Sequence, residues 1–296
     1  MNPACEPAAE WRSSTGPPLD LDRFIEQRLV AEFSKAAPRS DGWRVLGFCL
    51  EAQPRFAFLD AATYPRPDHP EPQKRWPLAY TLVAILVGLR TTLENEQRAM
   101  EQIFRRFPNE HDLQDATADQ IKSCIECAGM AETKSIRIRR ALDAVLILEG
   151  GLEGLRTLPR AEARATVLAF PGFGPKAADC LLSVALGHGS IAVDVNVFRV
   201  SSALLGMSWS AAPEYANSLH VAEVKSRLDQ ITADDSFLCQ IVHSYLMLFG
   251  KELRIRRHDP LACAIGRFCG ACENSEATQP RLWDSSGMTA HADHAA

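Results

Sequence analysis

The stretch RWPLAYTLVAILVGL is apolar on every face of the helix that it predicts. A helix without a polar face cannot lie at a surface, so other elements must enclose it at the centre of a domain. Neighbouring segments repeat apolar residues at helical spacing, as in Ala99, Met100, Ile103 and Phe104, and no stretch sustains the two-residue alternation of a strand. The sequence therefore predicts an all-α fold.

Proline and polar stretches predict the division of the chain. The segment YPRPDHPEPQKRWP contains five prolines in 14 residues and cannot be a regular helix. The polar ends predict disorder. We expect disordered termini over 1–18 and 273–296, and an N-terminal helix and proline-rich connector over 19–78. We also expect a helical domain over 79–190 with a helical hairpin at about 162–187, and a C-terminal helical domain with a cysteine loop over 191–272.

Composition limits the cell compartment and the partners. The most apolar window, Ala79 to Leu89, is too short to cross a bilayer, and the first 20 residues lack the pattern of a signal peptide. We therefore expect a cytoplasmic chain whose nine cysteines are thiols or ligands. The net charge of −5 does not favour nucleic acid, but local basic clusters offer phosphate contacts or simply a solvated face. These clusters are Lys134, Arg137, Arg139 and Arg140, and Lys251, Arg254, Arg256 and Arg257.

The stretch FPGFGPKAADCLL, residues 170–182, predicts a tight turn that leads into a helix. Gly172 and Gly174 lack the Cβ atoms that would obstruct such a turn or the approach of another backbone, and Pro175 suits the first helical position. A helix that begins this way presents backbone N–H groups and the positive end of its dipole, which together suit a phosphate oxygen. The alternative is a turn between helices that binds no ligand.

Lys176 and Asp194 are the candidate catalytic pair. Lys176 lies in the first turn of the predicted helix, where the positive end of the dipole favours the neutral, nucleophilic amine. Asp194 follows 18 residues later, before another predicted helix, so the returning chain can bring its carboxylate beside the amine. The alternative is that Asp194 only caps the helix that it precedes.

The run from Phe170 to Val200, with PGFGPK, an apolar helix and AVDVNVFRV, resembles the helix-hairpin-helix (HhH-GPD) DNA glycosylase superfamily, and within it the endonuclease III family. ILVGLRTTLENE and GMAETKS resemble two further segments of that family. The resemblance implies two all-α domains with DNA between them. One would be a six-helix barrel, and the other would join the N-terminal helix to the C-terminal helices.

The resemblance also implies roles for individual residues. Lys176 would attack the sugar C1′, and the Asp194 carboxylate would help activate it and stabilise positive charge on the ring. The residues implied to contact DNA or the extruded base are Gly172, Phe173, Gly174, Arg90, Thr91 and Asn196. Asn196 stands where many family members have histidine, and Leu93 replaces a frequent acidic residue, so the substrate base is left open.

The implied activity is that of a base-excision DNA repair glycosylase with AP lyase activity. It would excise damaged bases, foremost oxidised pyrimidines, through a lysine Schiff base and β-elimination. The partner would be double-stranded DNA with a damaged base or abasic site, bound by a monomer in the cytoplasm, at a bacterial nucleoid. Two alternatives stay open: a glycosylase for mismatched or modified cytosine or thymine, and a non-catalytic DNA-binding protein.

The C-terminal cysteines match the iron–sulfur loop of the family only in part. Cys263, Cys269 and Cys272 are present, but the first spacing is one residue short of the family's, and no fourth cysteine follows. A [4Fe–4S] cluster needs a complete ligand set, which His258 or the distant Cys239 would have to supply. The other interpretation is a loop whose cysteines are small buried residues. The chemistry itself needs no cofactor.

Overall fold

The computed structural model describes residues 21–52, 77–207, 218–253 and 265–270. All regular elements in these ranges are helices, so the all-α prediction is confirmed. The α-helices are α1 (Leu21–Phe33), α2 (Asp41–Ala52), α3 (Leu78–Val87), α4 (Leu93–Arg106), α5 (Glu110–Asp115), α6 (Ala118–Ile125), α7 (Ala131–Leu146), α8 (Gly151–Gly154), α9 (Arg160–Leu168), α10 (Pro175–Leu181), α11 (Val195–Leu204), α12 (Ser218–Thr232) and α13 (Ser236–Leu253).

Three shorter helical elements complete the described chain. A 3₁₀ turn over Glu126–Ala128 precedes α7, a π-helical turn over Leu182–Leu186 continues α10, and a second 3₁₀ turn covers Gly266–Phe268. Within the described ranges, no helix is long and apolar enough to span a membrane.

The described chain forms two compact units. The first contains residues 77–192 and 232–240, and the second contains 22–52, 193–207, 218–231, 241–253 and 265–270. The proline-rich connector and both predicted disordered ends fall outside the described residues. The predicted domain limits therefore stay a prediction.

The core of the first unit surrounds α3. Every residue of α3 except Ile85 is buried, as the uniformly apolar sequence predicts. Its packing partners come from the following helices, including Met100 and Ile103 of α4 and Ile138 and Leu142 of α7. The Tyr80 hydroxyl donates to the Phe107 carbonyl at 2.6 Å, which satisfies the one polar atom of that buried ring.

Local sequence signals set several helix ends in this unit. Thr117 and Gln120 form a reciprocal capping box at the start of α6, as their spacing predicts. Gly187 adopts φ +78° and ends the helical run that begins at Pro175, as predicted. The segment 232–240 joins the unit through Gln240, whose side-chain amide donates to the Ser183 carbonyl at 2.9 Å.

The second unit is held by aromatic contacts and an ion pair. The ring of Phe268 lies directly on Gly47 of α2, where a Cβ atom would come within 2.4 Å of the ring. The rings of Phe48 and Phe249 meet edge to face with centroids 4.8 Å apart. Arg227 of α12 binds both carboxylate oxygens of Asp41, at 2.7 and 2.8 Å, at the start of α2.

Candidate nucleic-acid interface and active site

Two buried phenylalanines support the turn between α9 and α10 from the interior of the unit. Phe170 and Phe173 are both buried, and their rings meet edge to face with centroids 5.9 Å apart. The Phe173 N–H donates to the Phe170 carbonyl at 3.1 Å. Phe173, which the resemblance assigns to the DNA contact, is only 6% exposed. Its ring therefore supports the turn from inside the unit.

The two glycines of the turn have different roles. Gly172 adopts φ +90°, a conformation that side chains disfavour, and a Cβ atom there would lie 3.1 Å from the stem of Arg137. Gly174 adopts φ −90° and ψ −179°, which any residue tolerates, and no described atom lies within 4 Å of the position of a Cβ. The fold thus requires Gly172, whereas Gly174 leaves open space at the surface.

Lys176 is the second residue of α10 and is partly exposed. Gly174 is the N-cap residue, Pro175 occupies the first helical position, and no described side chain caps this helix. The Ala178 N–H donates to the Gly174 carbonyl at 2.9 Å, which starts the helical hydrogen bonding. The arrangement matches the predicted uncapped N-terminus, which presents positive dipole to the surface beside the lysine amine.

A buried carboxylate that the sequence interpretation missed fixes the base of α10. Asp179, one turn after Lys176, is 2% exposed and accepts hydrogen bonds from Arg164 Nε of α9 at 2.8 Å and from Ser190 Oγ at 2.9 Å. This network ties both helices of the hairpin to the segment after the π-helical turn. The available signal was a lone acidic residue on the apolar face of AADCLL.

Asp194 is the N-cap residue of α11. Its Oδ1 accepts hydrogen bonds from the N–H groups of Asn196 at 2.8 Å and Val197 at 2.9 Å. The alternative interpretation, an N-cap, is therefore present in the structure. Asp194 can be both a cap and a catalytic carboxylate, because the two hydrogen bonds fix the position and orientation of the carboxylate group.

Asn196, which the resemblance assigns to DNA contact, is 8% exposed in the first turn of α11. Its Oδ1 is buried and accepts no hydrogen bond within the described part of the chain. Gly250 of α13 packs against it so closely that a Cβ on Gly250 would come within 2.7 Å of the Asn196 Cβ. The carbonyl of Gly250 also accepts a hydrogen bond from Arg199 Nη1 at 3.1 Å.

Arg90 and Thr91 form the turn between α3 and α4. Arg90 is exposed and adopts φ +54°, a left-handed conformation that costs a non-glycine residue about 1 kcal/mol or more. Thr91 is partly exposed, and Thr92 caps α4 by accepting from the Asn95 N–H at 3.3 Å. A second left-handed residue, Met130 at φ +53°, begins α7 and is 51% exposed. Strained, exposed residues of this kind are common at functional sites.

The basic cluster on α7 is divided between the interior and the surface. Lys134 is buried, and Arg139 points inward, where it donates to the Gln114 carbonyl and to the Ala116 carbonyl at 2.9 Å. These two residues are not free phosphate contacts, which corrects the interpretation of the cluster as one surface. Arg137 and Arg140 are exposed. The Arg137 stem lies beside Gly172, so the structure adds Arg137 to the candidate interface at the turn.

Of the predicted cysteine ligands, Cys263 and Cys272 lie outside the described residues, as does His258. Cys269 is a buried thiol whose Sγ lies 3.8 Å from the Ala203 carbonyl. Cys239 is buried too, with its Sγ 3.1 Å from Thr232 Oγ1. The described residues contain no group of three metal-ligating side chains. The ligand set for a cluster therefore stays a prediction.

Comparison with known proteins relates this chain to one family of DNA repair proteins. Residues 83–226 match the model of the HhH-GPD superfamily base excision DNA repair proteins. Endonuclease III of Haemophilus influenzae is 26% identical over 196 residues, which is 66% of this chain and 84% of that protein. A protein of Arabidopsis thaliana assigned as a DNA glycosylase is 35% identical over 125 residues, 42% of this chain, and the match spans only 43% of that relative's length.

A solved structure supports the same assignment at the level of the fold. The structure of a thermostable thymine-DNA glycosylase is similar with a TM-score of 0.55 and 17% identity, and the match covers 86% of this chain and all of that one. The family match includes the hairpin turn, Lys176 and Asp194. Residues 83–226 therefore resemble the HhH-GPD superfamily of base excision DNA repair proteins, and the chain is endonuclease III-like in sequence.

Proposed function

We propose that this chain is a bifunctional DNA glycosylase, which removes a damaged base from double-stranded DNA and then nicks the strand as an AP lyase. The observation that carries the proposal is the placement of Lys176, partly exposed in the first turn of a helix without a described cap, directly after the Gly172–Gly174 turn. A pure phosphate clamp requires the turn but does not require a nucleophilic amine at this position.

The proposed reaction proceeds in three steps: attack on the sugar, opening of the sugar ring and cleavage of the strand. The neutral Lys176 amine forms a bond to the sugar C1′ as the glycosidic C–N bond breaks, and the base leaves with the electron pair. The bonded nitrogen then gives up one proton, which neutralises the departing base. Its lone pair breaks the C1′–O4′ bond, O4′ takes up a proton from water, and a protonated imine is formed. Loss of a proton from C2′ allows the C3′–O bond to break. The phosphate formerly attached at C3′ leaves as the 5′-phosphate end of the downstream strand, and the strand is nicked.

The Asp194 carboxylate supplies a fixed negative charge for the positive charge that develops on the sugar. Its two backbone hydrogen bonds hold the carboxylate in one orientation, which removes the need to reorganise during the reaction. The same carboxylate can assist the loss of a proton from the lysine. In this proposal the cap of α11 and the catalytic charge are one group.

Backbone recognition comes from the hairpin turn and from α7. The N–H groups at the start of α10 suit a phosphate oxygen, and Gly174 leaves room for the DNA backbone to approach. Arg137, whose stem lies on the same turn, adds a positive charge. Such contacts do not depend on base sequence, as a repair enzyme that acts at many sites requires. We infer that one monomer binds the duplex.

We propose an oxidised pyrimidine as the base that is removed. The target nucleotide must leave the duplex stack, which is easiest for a damaged or poorly paired base. Of the side chains that the resemblance implies for a flipped base, Arg90 and Thr91 lie in the turn between α3 and α4 of the first unit. Because Asn196 replaces the histidine of many family members, a mismatched or modified cytosine or thymine is the second candidate. A non-catalytic DNA-binding role is the third.

The reaction steps involve only side chains and DNA, so we infer that no cofactor takes part in the chemistry. The cluster stays a separate proposal about the cysteine loop. Iron and zinc contents of anaerobically purified protein test it: bound iron with visible absorption supports a cluster, and a metal-free protein that tolerates Cys269→Ser contradicts it.

A panel of duplexes tests the function. Each duplex carries one lesion, such as thymine glycol, a T·G mismatch, 5-methylcytosine or 8-oxoguanine, and products are resolved on a denaturing gel with and without alkali. Nicking at thymine glycol without alkali supports the proposal. Nicking only after alkali removes the lyase step, and preference for another lesion changes the substrate. Binding to every duplex without excision supports the non-catalytic role.

A further inference from the structure

Lys134 carries a charge that the proposed chemistry does not use, in a place where charges are rare. It lies in the first turn of α7 and is 5% exposed. Burial of an ammonium group is costly unless its N–H donors find partners. Desolvation lowers the pKa of Lys134, and the neighbouring Glu96 and Cys127 partly oppose that shift.

The partners of Lys134 are two backbone carbonyls from different elements. Its Nζ donates to the carbonyl of Val87 at 2.8 Å and to that of Ala128 at 2.9 Å. Val87 is the last residue of α3, and Ala128 is the last residue of the 3₁₀ turn. Carbonyls at the end of a helix lack intrahelical donors and face the negative end of the dipole, so a cation there is well placed.

Both carbonyls come just before a left-handed, non-glycine residue. Arg90, at φ +54°, follows Val87 by three residues, and Met130, at φ +53°, follows Ala128 by two. Conformations of this kind persist only when the surrounding structure holds them. The ammonium of Lys134 therefore fastens the chain at the beginning of each strained turn.

Glu96, whose charge acts on Lys134, also contacts the α3–α4 turn. A Cβ on Gly88 would come within 2.7 Å of a carboxylate oxygen of Glu96, so the Glu96 side chain lies on the backbone of the turn. The Cys127 Sγ lies 3.6 Å from the Asn95 carbonyl, in the first turn of α4. The contacts at and around Lys134 thus connect α3, α4, the 3₁₀ turn and α7.

We propose that Lys134 is a positioning residue for base excision: its ammonium holds the α3–α4 turn so that Arg90 and Thr91 are placed to receive the extruded base. The proposal rests on the proposed function for its catalytic consequence. The sequence interpretation offered Lys134 either a phosphate contact or a solvated face, and its burial corrects both. Lys134 does not touch the substrate and acts through the turn.

The test compares Lys134→Met, which keeps the length of the side chain without charge or donors, with Lys134→Arg, which keeps both. Lys122→Met is the control, because Lys122 lies on the adjacent α6 and pairs at the surface with Glu132. Hydrogen–deuterium exchange of the free protein is measured over residues 88–95. We expect exchange at least about ten-fold faster in Lys134→Met, and unchanged exchange in α9 and α10.

Two activities then separate positioning from general damage. Excision of a base needs Arg90 and Thr91 to be placed for the extruded base. Borohydride trapping on DNA with a preformed abasic site does not, because no base is present. We expect Lys134→Met to lower the single-turnover excision rate by roughly 10- to 100-fold, with KM and abasic-site trapping changed less than about three-fold. Lys134→Arg should restore most of the rate. If Lys134→Met does not fold, Lys134→Gln, which keeps one donor group, should show the same split.

The results that overturn the proposal are distinct from failure of the proposed function. A folded Lys134→Met protein with wild-type exchange over 88–95, or with wild-type excision, overturns it. An equal loss of excision and trapping also overturns it, because that shows a general structural role. Wild-type protein that neither excises nor traps contradicts the proposed function instead, and the exchange measurement still decides whether Lys134 holds the turn.

Discussion

The N-terminus of α10 follows two glycines and has no described side-chain cap, whereas the N-terminus of α11 is capped by the carboxylate of Asp194. Both ends present the positive end of a helix dipole. At α10 no described side chain caps that end, and Lys176 lies beside it. At α11 the chain supplies its own anion and fixes its orientation. We infer from the difference that one end binds phosphate and the other carries catalytic charge.

Substitution of Lys176 should have the largest effect. Lys176→Ala removes the amine that forms the imine, so we expect nicking and borohydride trapping to fall by on the order of a thousand-fold or more. The free energy of unfolding should change by less than about 0.5 kcal/mol, because the side chain is partly exposed. Lys122→Ala is the matched control. Trapping by Lys176→Ala at the wild-type level contradicts the assignment.

Asp194→Asn separates the cap from the charge at α11. Asparagine caps a helix about as well as aspartate, so the free energy of unfolding should change by only a few tenths of a kcal/mol, whereas Asp194→Ala should cost about 1 kcal/mol. Both variants should lose roughly 100-fold in excision rate, because both lack the negative charge. Full activity in Asp194→Asn shows that Asp194 is only a cap.

Substitutions at the two glycines of the turn should have different effects. Gly174→Val places a side chain in open space, so it should weaken binding to damaged and undamaged duplex alike, by roughly ten-fold, at a cost in stability below about 1 kcal/mol. Gly172→Ala should instead destabilise the fold, because its φ is +90°. Thermal unfolding and duplex titration separate the two. Loss of affinity for damaged DNA alone in Gly174→Val contradicts backbone recognition.

The salt dependence of DNA binding tests whether Arg137 of α7 adds a phosphate contact beside the N-terminus of α10. Arg137→Ala should reduce the slope of log Kd against log salt concentration by about 1, since one phosphate contact is lost. Arg140→Ala is the control, because Arg140 is also exposed on the same helix, whereas the atoms nearest to a Cβ at Gly172 all belong to Arg137. Equal slopes in the two variants remove Arg137 from the interface.

The smallest expected effect is the contribution of Lys134 to the pH dependence of the free energy of unfolding. Its pKa in the folded protein lies below the ordinary value of 10.5, so the unfolded chain binds more protons in the interval between the two pKa values. The stability of the wild type relative to Lys134→Met should therefore rise as pH increases towards 10.5. Chemical denaturation of both proteins from about pH 8 upward measures it, and a constant difference contradicts the direction of the shift.

The features that the sequence predicted are local. The buried α3, the capping box of α6 and the turn before α10 each depend on residues within one or two helical turns, and all three are present. Their physical causes, an apolar face, a side-chain cap and a glycine that permits positive φ, act at short range. The pairing of Lys176 with Asp194 stays a prediction, because the two residues belong to different units.

The features that the sequence did not predict depend on distant partners. Lys134 appears in the sequence as one of four basic residues, and its burial follows from carbonyls 47 and six residues away. Asp179 likewise becomes the base of the hairpin only through Arg164 and Ser190. Periodicity shows which face of a helix is buried, but it does not show which polar partners meet a charge placed on that face.

The site of the covalent bond is the most direct test of the account. Wild-type protein is trapped with borohydride on abasic-site DNA, digested with nuclease and protease, and the modified peptide is sequenced by mass spectrometry. We expect the reduced sugar adduct on the side chain of Lys176, with the peptide that contains Lys122 unmodified. An adduct on another amine, with Lys176 unmodified, would contradict the assignment of Lys176 as the nucleophile.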